Sequence, residues 1–178
     1  MPMLYRGDFV HSIIAFEQPE GSIAARLKYL LTGNPHCGII TGTDIRRSYH
    51  TGSFSLGIIP PLKDGMLIDC DEVNCDTLLV PGAFFPADSS IYASRVVSYG
   101  FSPRDSITFS SIGEKKTVIT IQRELFTLDG CIIEQQDIPI KNADTPIDDL
   151  VISSALLLLG TAPESLSLRT GNHIKTIF

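Results

Sequence analysis

The sequence predicts a single α/β domain, with a mixed sheet, helices packed on it and an antiparallel meander in the second half. Three observations predict it. Helical periodicity is confined to two stretches, near residues 20–32 and 146–159. Between them, short apolar runs are cut by Gly and Pro at strand-like intervals. From Ser106 onward, β-branched segments follow one another with turn residues between them. The chain has 178 residues, 43% hydrophobic and 19% charged. That length suits one domain with a packed core. The composition excludes a disordered, coiled-coil or collagen-like chain.

The elements follow in order. Phe9-Val10 and Ile13 to Phe16 supply one or two short strands. Ile23, Leu27, Leu30 and Leu31 then recur at helical spacing, which predicts a helix over 20–32 with Pro19 in its first turn. Gly33 and Pro35 end it. Strands are expected at 38–41 and 54–59, the second closed by Pro60-Pro61. Asp64-Gly65 turns into a third apolar strand, Met66 to Ile68, which ends in Asp69, Cys70, Asp71 and Glu72. Leu78 to Val80 is a brief apolar run before Pro81-Gly82, and 81–94 reads as a loop or short irregular helix. Val96 to Tyr99 is the next strand, stopped by Gly100. Residues 1–65 thus carry strands without a fixed place in the sheet.

The meander comprises 106–112, 117–122 and 131–138, with a hairpin dipeptide at Asp129-Gly130. The final helix is the best-marked element. Thr145 is its expected N-cap, Pro146 its first residue and Asp148 the partner in a capping box. Asp148 and Asp149 also oppose the positive end of the helix dipole. Val151 to Leu159 is apolar on nearly every face, so this helix packs against more than one neighbour. Gly160 ends it, a short helix runs from Pro163 through Leu166, and residues 167–178 form a tail.

The formal charge is −6, from 14 Lys and Arg against 20 Asp and Glu. Without a basic run the chain lacks the electrostatic footprint of a nucleic-acid binder. Arg46-Arg47 and Lys115-Lys116 are only pairs, of the kind an exposed turn carries. Cys37, Cys70, Cys75 and Cys131 lack CxxC spacing and read as reduced, mostly buried thiols of a cytoplasmic protein. No secretory leader pattern precedes the first strand, and the apolar run Leu150 to Leu159 is too short for a membrane span.

Three constellations could carry chemistry. Thr41-Gly42-Thr43 invites comparison with a phosphate loop, but Ile45 stands where a second glycine is required, and Arg46 and Arg47 where Lys and a hydroxyl residue belong. A strand-to-loop turn is the plainer reading. Asp69, Asp71 and Glu72 at a strand's carboxyl end could meet a ligand or Mg²⁺, or could be solvated loop acids. The histidines, at 11, 36, 50 and 173, are scattered. His36-Cys37 lacks a second ligand pair, so no metal site is expected. There is no Gly-x-Ser-x-Gly elbow and no Cys–His signature, so no catalytic residue is assigned and no cofactor is named.

Taken in order, residues 66–166 resemble part of the central domain of Mur ligases, the ATP-dependent enzymes that add amino acids to peptidoglycan precursors. The counterparts are Leu67-Ile68-Asp69-Cys70-Asp71-Glu72, then Val96-Val97-Ser98-Tyr99-Gly100-Phe101, then the strands of 106–138, then the helix Pro146 to Gly160, then Pro163-Glu164-Ser165-Leu166. In that family an asparagine of the first motif lies beside the ATP adenine. Asp69 holds this position here and cannot donate an amide hydrogen bond. The family's phosphate loop lies far upstream, yet only 26 residues separate Gly42 from Asp69. The resemblance therefore implies a stripped relative without the ATP machinery.

The expected function is a non-catalytic cytoplasmic binding or interaction domain, taking a small ligand or protein partner at the edge bearing Asp69, Asp71 and Glu72, with Tyr99 nearby. An alternative is a small Mg²⁺-dependent or nucleotide-binding enzyme in which those three carboxylates converge on one pocket beside Tyr99 or Arg104. A third is a structural homo-oligomer, for which the low charged fraction leaves an apolar interface.

Overall fold

A computed structural model of the chain describes residues 11–17, 21–32, 37–41, 53–61, 72–83, 91–113, 116–141 and 146–170. Ten strands are described: β1 (His11–Ala15), β2 (Cys37–Thr41), β3 (Ser53–Ile58), β4 (Val73–Pro81), β5 (Ile91–Gly100), β6 (Ile107–Ile112), β7 (Lys116–Ile121), β8 (Leu125–Phe126), β9 (Ile132–Ile133) and β10 (Gln136–Lys141). The described helices are α1 (Ser22–Leu30), α2 (Pro146–Leu158) and α3 (Pro163–Thr170). Eight strands form one sheet in the order β10-β7-β6-β5-β4-β3-β1-β2, and β8 and β9 form a separate antiparallel pair. Strands from the front half of the chain thus share the sheet. β2, β1, β3, β4, β5 and β6 run parallel, and β7 and β10 alternate from there. The chain is a mixed α/β sheet, and its second half is the expected antiparallel ribbon.

The strand order reverses between β1 and β3: the chain steps outward from β1 to β2, then returns to the other side of β1. In open α/β sheets the crevice outside the carboxyl ends of the strands at such a switch point is the usual ligand position. The far side of the sheet differs. Only Tyr99 and Gly100 of β5 pair with β6, opposite Ile107 and Thr108. This short overlap lets a connection of only 101–106 join two parallel neighbours, where a full crossover needs a dozen residues or more. Phe109 to Ile112 then continue past the end of β5, roughly 13 Å at normal strand rise. The ribbon β6-β7-β10 therefore rises beyond the sheet's carboxyl edge as a side wall. Pro139, which has no N–H to give a ladder, lies in β10 at the end of the strand order, where a proline is tolerated.

One face of the sheet carries the larger core. Ile13, Leu56, Ile58, Leu79, Val97, Tyr99, Ile107, Ile119, Ile121, Ile138 and Ile140 meet Ile23 and Leu27 of α1, the length of α2, and Leu166 of α3. Every residue of α2 from Asp149 to Leu158 is buried, as its all-round apolar sequence predicts. Gly160 ends this helix at φ +84°, with its N–H on Leu157 O and the Thr161 N–H on Leu156 O, the paired bonds of a glycine C-terminal stop. Leu128 N–H bonds Leu158 O, which ties the β8-β9 hairpin to the same helix end. The hairpin turns at Gly130, φ +83°, as Asp129-Gly130 predicts. The opposite face holds Ile14, Phe16, Phe54, Ile59, Val73, Cys75, Leu78 and Val80.

Several boundaries differ from the sequence reading. The strand expected at 66–68 and the N-cap expected at Thr145 lie outside the described residues, as do Pro19, Cys70 and the tail beyond Thr170. The apolar run Leu78 to Val80 is the end of a nine-residue strand, β4, that begins at Val73. The pleat explains why this was illegible. Val73 and Cys75 face the smaller core, but so do Leu78 and Val80, so the alternation slips by one residue between them. The same slip occurs in β3, between Phe54 and Leu56, and in β5, between Ala93 and Val97. The ladder registers Phe54–Cys75–Ala93 and Leu56–Thr77–Arg95 but not the row between. Three neighbouring strands thus change phase together, which defeats any period-2 reading. Likewise 91–94, expected as loop, opens β5, and 131–138 is divided between β9 and β10 with the exposed Glu134 and Gln135 at the break. α3 runs to Thr170, past the expected stop at Leu166.

Beyond this phase slip lies Thr77, fully buried, whose hydroxyl has no hydrogen-bond partner among the described residues. Thr77→Val removes that hydroxyl at nearly constant shape and is expected to raise stability by about 1 kcal/mol. Urea unfolding measures it, and a comparable loss would show that the hydroxyl is bonded. Among the described residues, no helix is long and apolar enough to cross a membrane.

Candidate functional site

The carboxyl edge of the sheet gathers Glu17, Ser22, Arg26, Tyr99, Asp148 and Asp149. β1 leaves the sheet at Ala15, with Phe16 N–H on Ile58 O and Glu17 N–H on Ala15 O. The second bond is a tight turn that swings the Glu17 side chain toward the start of α1. There the N-cap is Gly21, which has no capping side chain of its own. Glu17 supplies the missing acceptor: its carboxylate takes the backbone N–H of Ala24, and the Ile23 N–H also stabilises the charged form. Both donors belong to the first turn of α1, whose N–H groups have no intrahelical partner. A Cβ on Gly21 would lie 2.1 Å from the Glu17 carboxyl carbon, so the cap needs glycine at that position.

The site is acidic, and its Glu17, Tyr99 and Asp149 side chains are buried. Glu17 is only 9% exposed. Burial pushes its carboxyl above the ordinary value, the Ala24 and Ile23 N–H groups pull it back, the Asp148 charge raises it further, and Lys28 lowers it. Asp148 Oδ2 accepts the Ser22 hydroxyl at 2.9 Å. Asp149, one residue on, takes the Arg26 guanidinium in an ion pair. Two bonds therefore clasp the first turn of α2 to α1, and the helix dipole of α2 favours both of its acids. Tyr99 closes the floor. It is 1% exposed, its hydroxyl donates to Ile59 O at 2.8 Å, and burial first, then the Asp148 charge, pushes its ionisation far up. It is a neutral donor that ties β5 to the end of β3.

Next to this cluster, Asp105 fixes the loop between β5 and β6. Its carboxylate accepts the Ser102 N–H at 3.0 Å and lies against Gly82 and Gly100. A Cβ on Gly100 would sit 2.5 Å from it, and one on Gly82 would overlap it. The glycines after Pro81 and Tyr99, which sequence reasoning takes only as strand stops, make room for this buried acid.

Of the four residues singled out by sequence, Glu72 and Tyr99 are described, and they lie apart. Asp69 and Asp71 lie outside the described residues. Glu72 is exposed and precedes β4, so it stands at the amino edge of the sheet and not after a strand's carboxyl end. Tyr99 pairs with Pro81 at the other end of that strand. Nine residue steps separate the two levels, about 30 Å. Glu72 and Tyr99 therefore do not share a pocket. Arg104 is exposed in the 101–106 loop, and its carbonyl accepts from Arg123 at 2.8 Å. Among the described residues, no group of three His, Cys, Asp or Glu is arranged to hold a metal ion. Of the described cysteines, Cys75 is buried as expected, Cys37 is half-buried and Cys131 is exposed in the hairpin.

Glu17, Arg26 and Asp105 were not legible as site residues. Glu17 caps from four residues before the N-cap, outside the S/T-x-x-E signature. The one available signal was a Gly-Ser helix start lacking an obvious capping acid. No known protein family matches this chain, and no curated protein matches it.

Proposed function

We propose that the chain is a non-catalytic binding or interaction domain, built on a nucleotide-binding type of α/β sheet and related to the central domain of Mur ligases, whose own carboxylate fills the phosphate position. The observation that carries this reading is the Glu17 carboxylate on the first turn of α1 at the switch point. In dinucleotide-binding sheets that turn receives a pyrophosphate. Here a phosphate would meet Glu17, with Asp148 beside it, and like charges at a desolvated edge repel strongly. The order of elements supports the kinship: β5 ends in Tyr99-Gly100, an antiparallel ribbon and hairpin follow, and a buried helix stops at Gly160. Free thiols at Cys37 and Cys131 suit a reducing cytoplasm.

The binding surface in this reading is the carboxyl edge, flanked by the β6-β7-β10 wall, and not the amino edge that carries Glu72. In the enzyme reading built on Asp69, Asp71 and Glu72, Glu72 stands at the opposite end of β4 from Tyr99. A thermal-shift titration with ATP, UDP-sugars and Mg²⁺, singly and combined, tests the proposal. The melting temperature is expected to stay constant. A site filled at 100 times its dissociation constant adds about 2.7 kcal/mol. A rise that requires nucleotide and Mg²⁺ together would overturn the reading.

A further inference from the structure

We draw no further inference here: the strongest candidate, the exposed cross-strand pair Phe126 and Ile132 on the β8-β9 hairpin with the Arg95 guanidinium 5.9 Å from the Phe126 ring centroid, is an unpartnered apolar face, and nothing in the structure shows what covers it.

Discussion

Arg26→Met is expected to destabilise the fold by about 3 kcal/mol, the low end of what removing one partner from a buried ion pair costs. The asymmetry of the pair sets the size. The Arg26 side chain keeps 24% of its surface in water, whereas Asp149 keeps 2%. Methionine preserves much of the aliphatic packing along α1 and deletes the charge. The Asp149 carboxylate then stays buried in the first turn of α2 without its cation. The helix dipole offsets part of that loss, worth about 1 kcal/mol, which keeps the expected effect below the upper end of the range. For a chain of this length, 3 kcal/mol lowers the melting temperature by roughly 6–12 °C. Thermal and urea unfolding of the variant measure it. A change within about 0.5 kcal/mol would mean that the clasp between α1 and α2 is solvated and contributes little.

Glu17→Ala is expected to cost about 2 kcal/mol, from loss of the α1 cap and exposure of two first-turn donors to an apolar surrounding. Gly21→Ala should act in the same direction, because its new methyl group takes the space of the Glu17 carboxyl. Glu17→Gln behaves differently. It keeps an oxygen for the Ala24 N–H and removes the buried charge. The Glu17 carboxyl is held above its ordinary value of 4.5, with burial the largest cause. A raised folded-state value means that the folded protein binds the proton more tightly than the unfolded chain. The associated stability is complete below pH 4.5 and is lost as pH rises through the folded-state value. Glu17→Gln should therefore be more stable than the parent at pH 7, with an advantage that shrinks toward pH 4.5. Unfolding of both proteins across that window checks the sign. A Glu17→Gln variant less stable at pH 7 would show that the charged cap outweighs its desolvation.

The sequence announces those parts of the fold whose signals are local. Ile23, Leu27 and Leu31 mark α1 because one helical face faces one core. Gly160 and Gly130 mark a helix stop and a hairpin because only glycine adopts their φ angles without strain. The parallel strands are less legible. Their alternation is not sustained, because in β3, β4 and β5 the phase slips at one row shared by all three. No single strand contains that information, since each makes the shift only to stay in register with its neighbours. The site is harder still. Glu17 meets Ala24 across a loop, Ser22 meets Asp148 across 126 residues, and Arg26 meets Asp149 across 123. Ser22 resembles a cap by position, yet its hydroxyl goes to α2. Asp148 resembles a capping-box acid, yet it accepts from α1. Asp69, Asp71 and Glu72 are conspicuous because they are close together in sequence. The acids that meet at the carboxyl edge, Glu17 and Asp148, are brought together only by tertiary packing.

The bond between the Glu17 carboxylate and the first turn of α1 occupies the position where a phosphate would bind. Backbone amide resonances of the intact protein, followed by NMR from pH 7 downward, observe that bond directly. The Ile23 and Ala24 amide protons should move together as the carboxyl titrates, with a midpoint above 4.5, and the movement should vanish in Glu17→Gln. Amides that stay still over this range, or that move equally in the variant, would contradict a capping carboxylate at the switch point and reopen that position to phosphate.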